Sequence, residues 1–362
     1  MKTEFSTFRF QFSIMIIDWK NVKRVLVVRM RSIGDTVLST PSLIALRRFL
    51  PDAQIDILLE DWVAPVLEDF DAVDNALSVS RKSQKSRIET ALNLRRNKYD
   101  VAFNLHGGTT ATFFVRASGA PHRVGYSYYQ YNFLYNYLLS SASDFWRQKY
   151  THSAEQQLAL FGFVGVPVDD KPKSRLVVTE SARHSIEDKL TKSKIQNPKS
   201  KIALVHPTAA FDTKQWATEN FARVAEFLSE KGFNPIAVAA KNERGVLENL
   251  KKLSKVPVLT FDDLTLPEIT ALASKAKIFI GNDSGIAHIA AAVHTPSVVI
   301  FGSSNINHWR PWTDTRHEIV YEKMPCQPCA GYFCKEFNEP KCILSIKTGN
   351  VFEAIEKLGI AD

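Results

Sequence analysis

Three short stretches of this chain carry residue types that chemistry needs. The first is Arg29-Met-Arg-Ser-Ile-Gly-Asp35, which follows an apolar run and sets one carboxylate beside two arginines. A carboxylate in a cleft can accept the proton of an attacking hydroxyl, and Arg29 and Arg31 can hold Asp35 ionised. The plainer reading is that Asp35 caps the next helix, which Thr40-Pro41 would begin. A dinucleotide fold would carry Gly-x-Gly-x-x-Gly here; one glycine and a carboxylate stand instead, and a carboxylate at a strand tip repels a pyrophosphate.

The second stretch, Ile278-Phe-Ile-Gly-Asn-Asp-Ser-Gly-Ile-Ala-His288, reads strand, tight turn, helix. Ser284, Gly285 and Ile286 would open that helix, where free backbone amides and the helix dipole bind phosphate. Gly285 allows a ligand close to the backbone. Asp283 either caps the turn or meets ribose hydroxyls. His288 falls on an apolar helix and reads as a buried, hydrogen-bonded histidine. In the third stretch, His206-Pro-Thr-Ala-Ala-Phe-Asp-Thr-Lys-Gln-Trp216, the Thr208 hydroxyl and the Lys214 cation form a second anion-binding element. Lysine as a point charge suits a diphosphate; the alternative for Lys214 is a solvated surface position.

These stretches need elements to hold them. Arg24-Val-Leu-Val-Val-Arg29 and Lys201-Ile-Ala-Leu-Val-His206 each suit a parallel strand buried on both faces. Strands are predicted at 24–30, 54–59, 75–79 and 101–105, then at 202–206, 235–239, 278–281 and 297–301. Helices are predicted at 41–49, 86–96 and 153–162, then at 219–231, 243–253, 267–275 and 284–293. Thr265-x-x-Glu268 has the spacing of a capping box. Strand–helix alternation implies doubly wound α/β domains, whose ligands sit beyond the carboxyl ends of the strands. The Pro- and charge-rich stretch 167–200, with one amphipathic helix at 181–192, is the expected boundary.

The chain has 362 residues, enough for two domains. Its 45% hydrophobic and 23% charged content is that of a globular protein, and no apolar run is long enough to span a bilayer. The net charge of +8 points to anionic partners. Basic clusters such as Arg81-Lys82-x-x-Lys85-x-Arg87 read as solvated faces, and with no nucleic-acid module beside them no nucleic-acid partner is expected. Residues 1–20 alternate Phe8, Phe10 and Phe12 and read as a leader or extra strand rather than a secretory signal or membrane-surface anchor. The four cysteines, Cys326, Cys329, Cys334 and Cys342, cluster rather than spread, which suits the cytoplasm. Their spacing leaves open structural zinc, an iron–sulfur cluster, free thiols or a disulfide.

Taken together, Val27-Val-Arg-Met-Arg-Ser-Ile-Gly-Asp-Thr-Val-Leu-Ser-Thr-Pro41, Lys214-Gln-Trp216 and Gly281-Asn-Asp-Ser-Gly-Ile-Ala-His-Ile-Ala-Ala291 with Pro296 resemble glycosyltransferase family 9, the heptosyltransferases of lipopolysaccharide core synthesis. The resemblance spans about residues 22 to 358. It implies the GT-B architecture, two Rossmann-like domains facing a central cleft: an acceptor-binding domain at 21–175, a donor-binding domain at 176–345, and a last helix in 346–362 returning to the first domain. It also implies an inverting, metal-independent transfer with no cofactor, in which the nucleotide sugar is a substrate, ADP-heptose foremost. Position by position, Asp35 matches the family's proposed base. Thr208, Lys214 and Asp283 to Ile286 match groups at the donor diphosphate, and Glu243 matches an acid near the nucleoside. Arg31, Ser32, His106, Gly107 and Arg123 are the candidate acceptor contacts, although His106-Gly107 stands where the family usually has Gln-Gly. The implied partners are a nucleotide sugar, a lipid-linked saccharide acceptor and an anionic membrane surface, for a monomer at the cytoplasmic face of the inner membrane. A different sugar or acceptor, a nucleotide-sugar epimerase and a non-catalytic nucleotide-sugar binder are the rivals.

One segment stays open on both readings. Residues 126–150 hold ten aromatics, including Tyr126, Tyr128, Tyr129, Tyr131 and Trp146, with Arg123, Arg147 and Lys149 beside or among them. They suit either sugar stacking and contact with an anionic lipid head group, or an aromatic-rich helical subdomain.

Overall fold

The computed structural model describes residues 17–193, 201–329 and 331–360. The strands number β1 (Arg24–Val28), β2 (Gln54–Glu60), β3 (Asn75–Val79), β4 (Val101–Asn104), β5 (His122–Tyr126) and β6 (Tyr137–Leu139) in the first half. The second half holds β7 (Lys201–His206), β8 (Phe233–Val238), β9 (Leu259–Phe261), β10 (Ile278–Asn282), β11 (Ser297–Phe301) and β12 (His317–Tyr321). They form two six-stranded parallel sheets, ordered β3-β2-β1-β4-β5-β6 and β12-β11-β10-β7-β8-β9. Each sheet reverses strand order between its first and fourth strands, the doubly wound pattern, and each reversal opens a crevice at the carboxyl ends.

The central strands are buried because both faces carry helices. Val25 to Val28 and Phe279 to Ile280 are fully buried, as the continuous apolar runs require. Register aligns the functional ends: Val28 pairs with Leu58 and Asn104, so the loops after β1, β2 and β4 leave the sheet side by side. In the second sheet Gly281 pairs with His206, and Asn282 with Ile300. The capping box closes as expected: the Thr265 side chain accepts from the Glu268 amide at 3.3 Å and the Glu268 carboxylate from the Thr265 amide at 2.7 Å. A single buried apolar cluster runs from Val25 and Phe103 of the first sheet to Phe279 and Phe301 of the second, so the two halves pack as one core across their junction.

Several expectations change. The helix Thr348–Lys357 does not return to the first domain: Val351 and Ile355 pack with Val205 and Val320 of the second, and the Phe352 ring stacks on Phe227 at 4.3 Å. Its apolar stripe matches the face left open there, so nothing draws it across. Residues 126–150 are not a helical subdomain; they contain the edge strand β6, a turn and one five-residue helix, Ala142–Trp146. Strands β5, β6, β9 and β12 and the helix Thr109–Ala117 escaped the sequence reading. The Phe8–Phe12 alternation and Pro198 lie outside the described residues. Trp19, near the end of the expected leader, is anchored on the first domain by its indole N–H to the Val164 carbonyl at 2.8 Å. No helix among the described residues is long and apolar enough to cross a membrane.

Candidate active site

The loop after β1 turns into a short helix, Ile33–Val37, and Asp35 lies within it. Asp35 caps neither this helix nor Thr40–Phe49; no side-chain cap bond closes either start. Its carboxylate goes to the cleft. Arg29, 6% exposed, pairs with one oxygen, and the Ser32 hydroxyl donates to the other at 2.9 Å. A carboxylate has about four lone-pair positions, so acceptor capacity remains for a third partner. The Arg29 guanidinium also donates to the Leu105 carbonyl at 3.1 Å and lies 3.1 Å from His106 Nδ1. Burial, then the charges of Arg29 and Arg31, push the His106 imidazole down to about 4, so at neutral pH it is an uncharged hydrogen-bonding group. Asn104 fixes the turn by accepting from the amides of His106 and Gly107, both at 2.9 Å. Gly107 has φ +78°, and a Cβ there would meet the Tyr129 ring at 2.5 Å, which explains a glycine at this point.

Across the cleft, β10 delivers Asp283 and the helix Gly285–Ala292, whose N-cap is Ser284. Asp283, 5% exposed, accepts from Lys214 Nζ at 2.7 Å and from the Ser304 hydroxyl. Lys214 is therefore held in place rather than solvated, and keeps two N–H donors for an incoming anion. A polar chain crosses the floor: Ser284 Oγ lies 3.1 Å from His206 Nδ1, His206 Nε2 lies 3.2 Å from Thr208 Oγ1, and Thr208 donates to Glu243 at 3.0 Å. Glu243 also accepts from the Ala240 amide at 3.0 Å. Burial pushes His206 down to about 4, so it relays as a neutral ring. His288 is buried as expected, and burial lowers it too, but its Nδ1 has no hydrogen-bond partner.

The two loops meet. A Cβ on Gly285 would lie 2.8 Å from Ile33 Cβ and 3.2 Å from the Gly34 amide nitrogen, and one on Gly34 would lie 2.8 Å from His288 Cδ2. Gly285 thus serves a contact between the halves, where the sequence suggested an approach to ligand. Beside this contact lies a cavity of about 670 Å³, lined by Ser32, Asp35, Thr208, Lys214, Glu243 and Asp283 to Ile286, within the range of small-molecule sites. Asp35 and Trp309 also line a second cavity of about 250 Å³, with His106, Tyr126, Tyr128 and Tyr129. Arg31 and His106 line a third, of about 220 Å³.

Arg123 stands apart. Its guanidinium donates to the carbonyls of Leu134 and Ala120, both at 2.6 Å, and it lines none of these cavities, so it braces the β5–β6 connection. Sequence reasoning passed over His206, Trp62, Trp309 and Ser304 as site residues. His206 had a signal, as the last residue of a buried strand; the two tryptophans and Ser304 reach the cleft only through loop geometry.

The four cysteines are free thiols. Burial, then Cys329, Cys326 and Cys334, push the Cys342 thiol up to about 11. Among the described residues no group of histidine, cysteine or acidic side chains is set to hold a metal ion. The cysteine loop instead braces the lysine loop: Cys329 N–H donates to the Ser303 carbonyl at 3.0 Å, and the Thr213 hydroxyl to the Gly331 carbonyl at 3.0 Å.

Comparison with known proteins bears on the family and the fold. Residues 87–338 match the family model described as glycosyltransferase family 9 (heptosyltransferase). The chain is 27% identical to the lipopolysaccharide heptosyltransferase 3 of Escherichia coli over 82% of its own length and 89% of that protein's. In fold it is similar to a glycosyl transferase family 9 structure from Veillonella parvula, with TM-score 0.81 and 19% identity over 94% of this chain and 98% of that one. It is likewise similar to the E. coli ADP-heptose LPS heptosyltransferase II, with TM-score 0.76 and 18% identity over 92% and 98%.

Proposed function

The chain belongs to glycosyltransferase family 9, the heptosyltransferases, and from that premise we propose that it moves a heptose from ADP-heptose to a hydroxyl of a lipopolysaccharide-core acceptor, with Asp35 as the general base. The observation that carries this reading is that Asp35 lines both the large cavity holding Lys214 and the helix start at 284–286, and the smaller aromatic cavity beside it. Donor and acceptor can each fill one cavity and meet at a single carboxylate.

The step then follows. Asp35 takes the acceptor hydroxyl proton while that oxygen attacks the anomeric carbon. The bond to the diphosphate breaks on the opposite face, so one displacement inverts the centre. Negative charge growing on the departing diphosphate meets the free N–H groups of Lys214 and the amides at 284–286, which are held in place beforehand. Thr208 joins them at the diphosphate, and Glu243, which accepts from its hydroxyl in the same cavity, would meet the nucleoside. The acceptor in this reading is a lipid-linked saccharide. The enzyme works as a monomer at the cytoplasmic face of the inner membrane, in peripheral contact with anionic lipid.

Two measurements test the reading. Asp35→Asn keeps a partner for Arg29 but cannot take a proton, so transfer should fall by about 10²- to 10⁴-fold while donor binding stays as in the unaltered enzyme. Turnover near the original rate would remove Asp35 as the base. A ligand-induced melting-shift screen should favour ADP-sugars over UDP- and GDP-sugars; a larger shift with another nucleotide would reassign the donor.

A further inference from the structure

The basic cluster around Arg81 and Arg87 is not only a solvated face. Arg31, Arg81 and Arg87 line the cavity of about 220 Å³ together with His106 and Thr110. The one carboxylate in its wall, Glu60, accepts the Trp62 indole N–H at 2.8 Å. Arg87 and Thr110 also line an open groove of about 420 Å³ on the outer face, with Ile88 and Phe113. The cavities form a series through shared walls: the groove meets the arginine pocket at Arg87 and Thr110, that pocket meets the aromatic cavity at His106, and the aromatic cavity meets the large one at Asp35.

The outer face comes from two neighbouring helices, Gln84–Arg96 and Thr109–Ala117, which start at the carboxyl edge of the first sheet. Ile88 is 61% exposed, Leu92 52% and Phe113 51%. Large apolar side chains grouped on a surface mark a contact. Arg81, Lys82, Lys85, Arg95, Arg96 and Arg116 surround them, all exposed. Of these, among the described residues, only Lys85 has a carboxylate partner, Glu89 at 3.8 Å. Apolar side chains ringed by cations of which all but one lack a carboxylate partner suit the boundary between anionic head groups and acyl chains, where each cation adds attraction and each apolar side chain leaves water.

We propose that this face docks on an anionic lipid bilayer, with a lipid phosphate entering the Arg31–Arg81–Arg87 pocket. Docking deepens the transfer reading but does not depend on which sugar moves, and vesicle binding can be measured without turnover.

The experiment is sedimentation of the full chain with phosphatidylcholine vesicles, with and without phosphatidylglycerol. Binding is expected only with phosphatidylglycerol, and weaker as salt rises. Lys82→Gln with Lys85→Gln should lower the partition coefficient by about 20- to 30-fold. Ile88→Asp with Phe113→Asp should abolish binding, yet leave the thermal midpoint and transfer to a water-soluble, delipidated acceptor unchanged. Should the aspartates disturb folding, Ile88→Ser with Phe113→Ser should weaken binding in the same direction. Equal binding to neutral vesicles, no binding to either, or vesicle binding by folded apolar-to-polar variants at the original strength would overturn the docking face. Docking without transfer to any acceptor would instead count against the transfer reading.

Discussion

At the scale of single residues, the cleft depends on charges held by other charges. Lys214 is oriented by Asp283, so its effect on the donor is set by a pair. Lys214→Gln removes the cation and leaves Asp283 buried beside a neutral amide. Hydrogen bonds to charged groups contribute about 1.5–3 kcal/mol, so donor affinity should fall roughly ten- to a hundredfold, with acceptor affinity little changed. Titration calorimetry with the nucleotide, run beside the donor dependence of turnover, checks this; an unaltered donor dependence would remove the role. The lysine itself was readable in the sequence, since Thr208, Lys214 and Trp216 follow a buried strand. Its partner was not: Asp283 lies 69 positions away, and nothing in its local sequence separates a capping carboxylate from one that orients a lysine. The same limit applied to Arg123, whose position beside aromatics suggested a ligand but whose Nε and Nη1 donate to carbonyls.

At the scale of elements, the decisive contact is between two helix starts. Gly34 and Gly285 let Ile33–Val37 and Gly285–Ala292 touch. Gly285→Ala drives a Cβ against Ile33 Cβ, which is fixed to its backbone and cannot swing aside. Such overpacking costs about 1–3 kcal/mol. A thermal midpoint lowered by several degrees is therefore expected, with a loss of turnover larger than the loss of donor affinity. Gly245→Ala is the control: a Cβ there meets nothing, at an exposed position of the helix Arg244–Leu253, and should stabilise by about 0.4–1 kcal/mol. Thermal melts of both variants decide the matter, and equal midpoints would refute the packing argument. The buried central strands were legible because both faces are covered, which leaves apolar runs such as Val25 to Val28 and Ile278 to Ile280 with few polar interruptions. β6, β9 and β12 were not, because edge strands are short or half exposed and lose that continuous run. β5 hides behind His122 and Arg123, and the aromatic content after it imitated a helix core.

At the scale of the whole molecule, the two halves are joined by buried histidines as well as apolar side chains. His152, in the first half, lies 2.7 Å from the Arg310 carbonyl of the second and stacks on Trp312 with ring centroids 4.7 Å apart. Burial pushes it down to about 3, and burial holds His106 and His206 at about 4. In the unfolded chain a histidine titrates near 6.5. As pH falls below 6.5 the unfolded state gains these protons first, so stability drops until the folded values are reached. Denaturant midpoints should accordingly decline from pH 7 to pH 5. The decline should be shallower in His152→Asn, which can still cap the helix Ser153–Phe163. Parallel curves for the two proteins would show that this ring does not contribute.

The glycine-to-glycine contact bears on more than stability. The turn that presents Asp35 and the turn that would grip the diphosphate lean on each other, so the proposed proton acceptor and the proposed anion site keep their spacing only while the halves touch. Under the proposed transfer, catalysis therefore hangs on this one contact: without it the base and the anion site would no longer share a single centre.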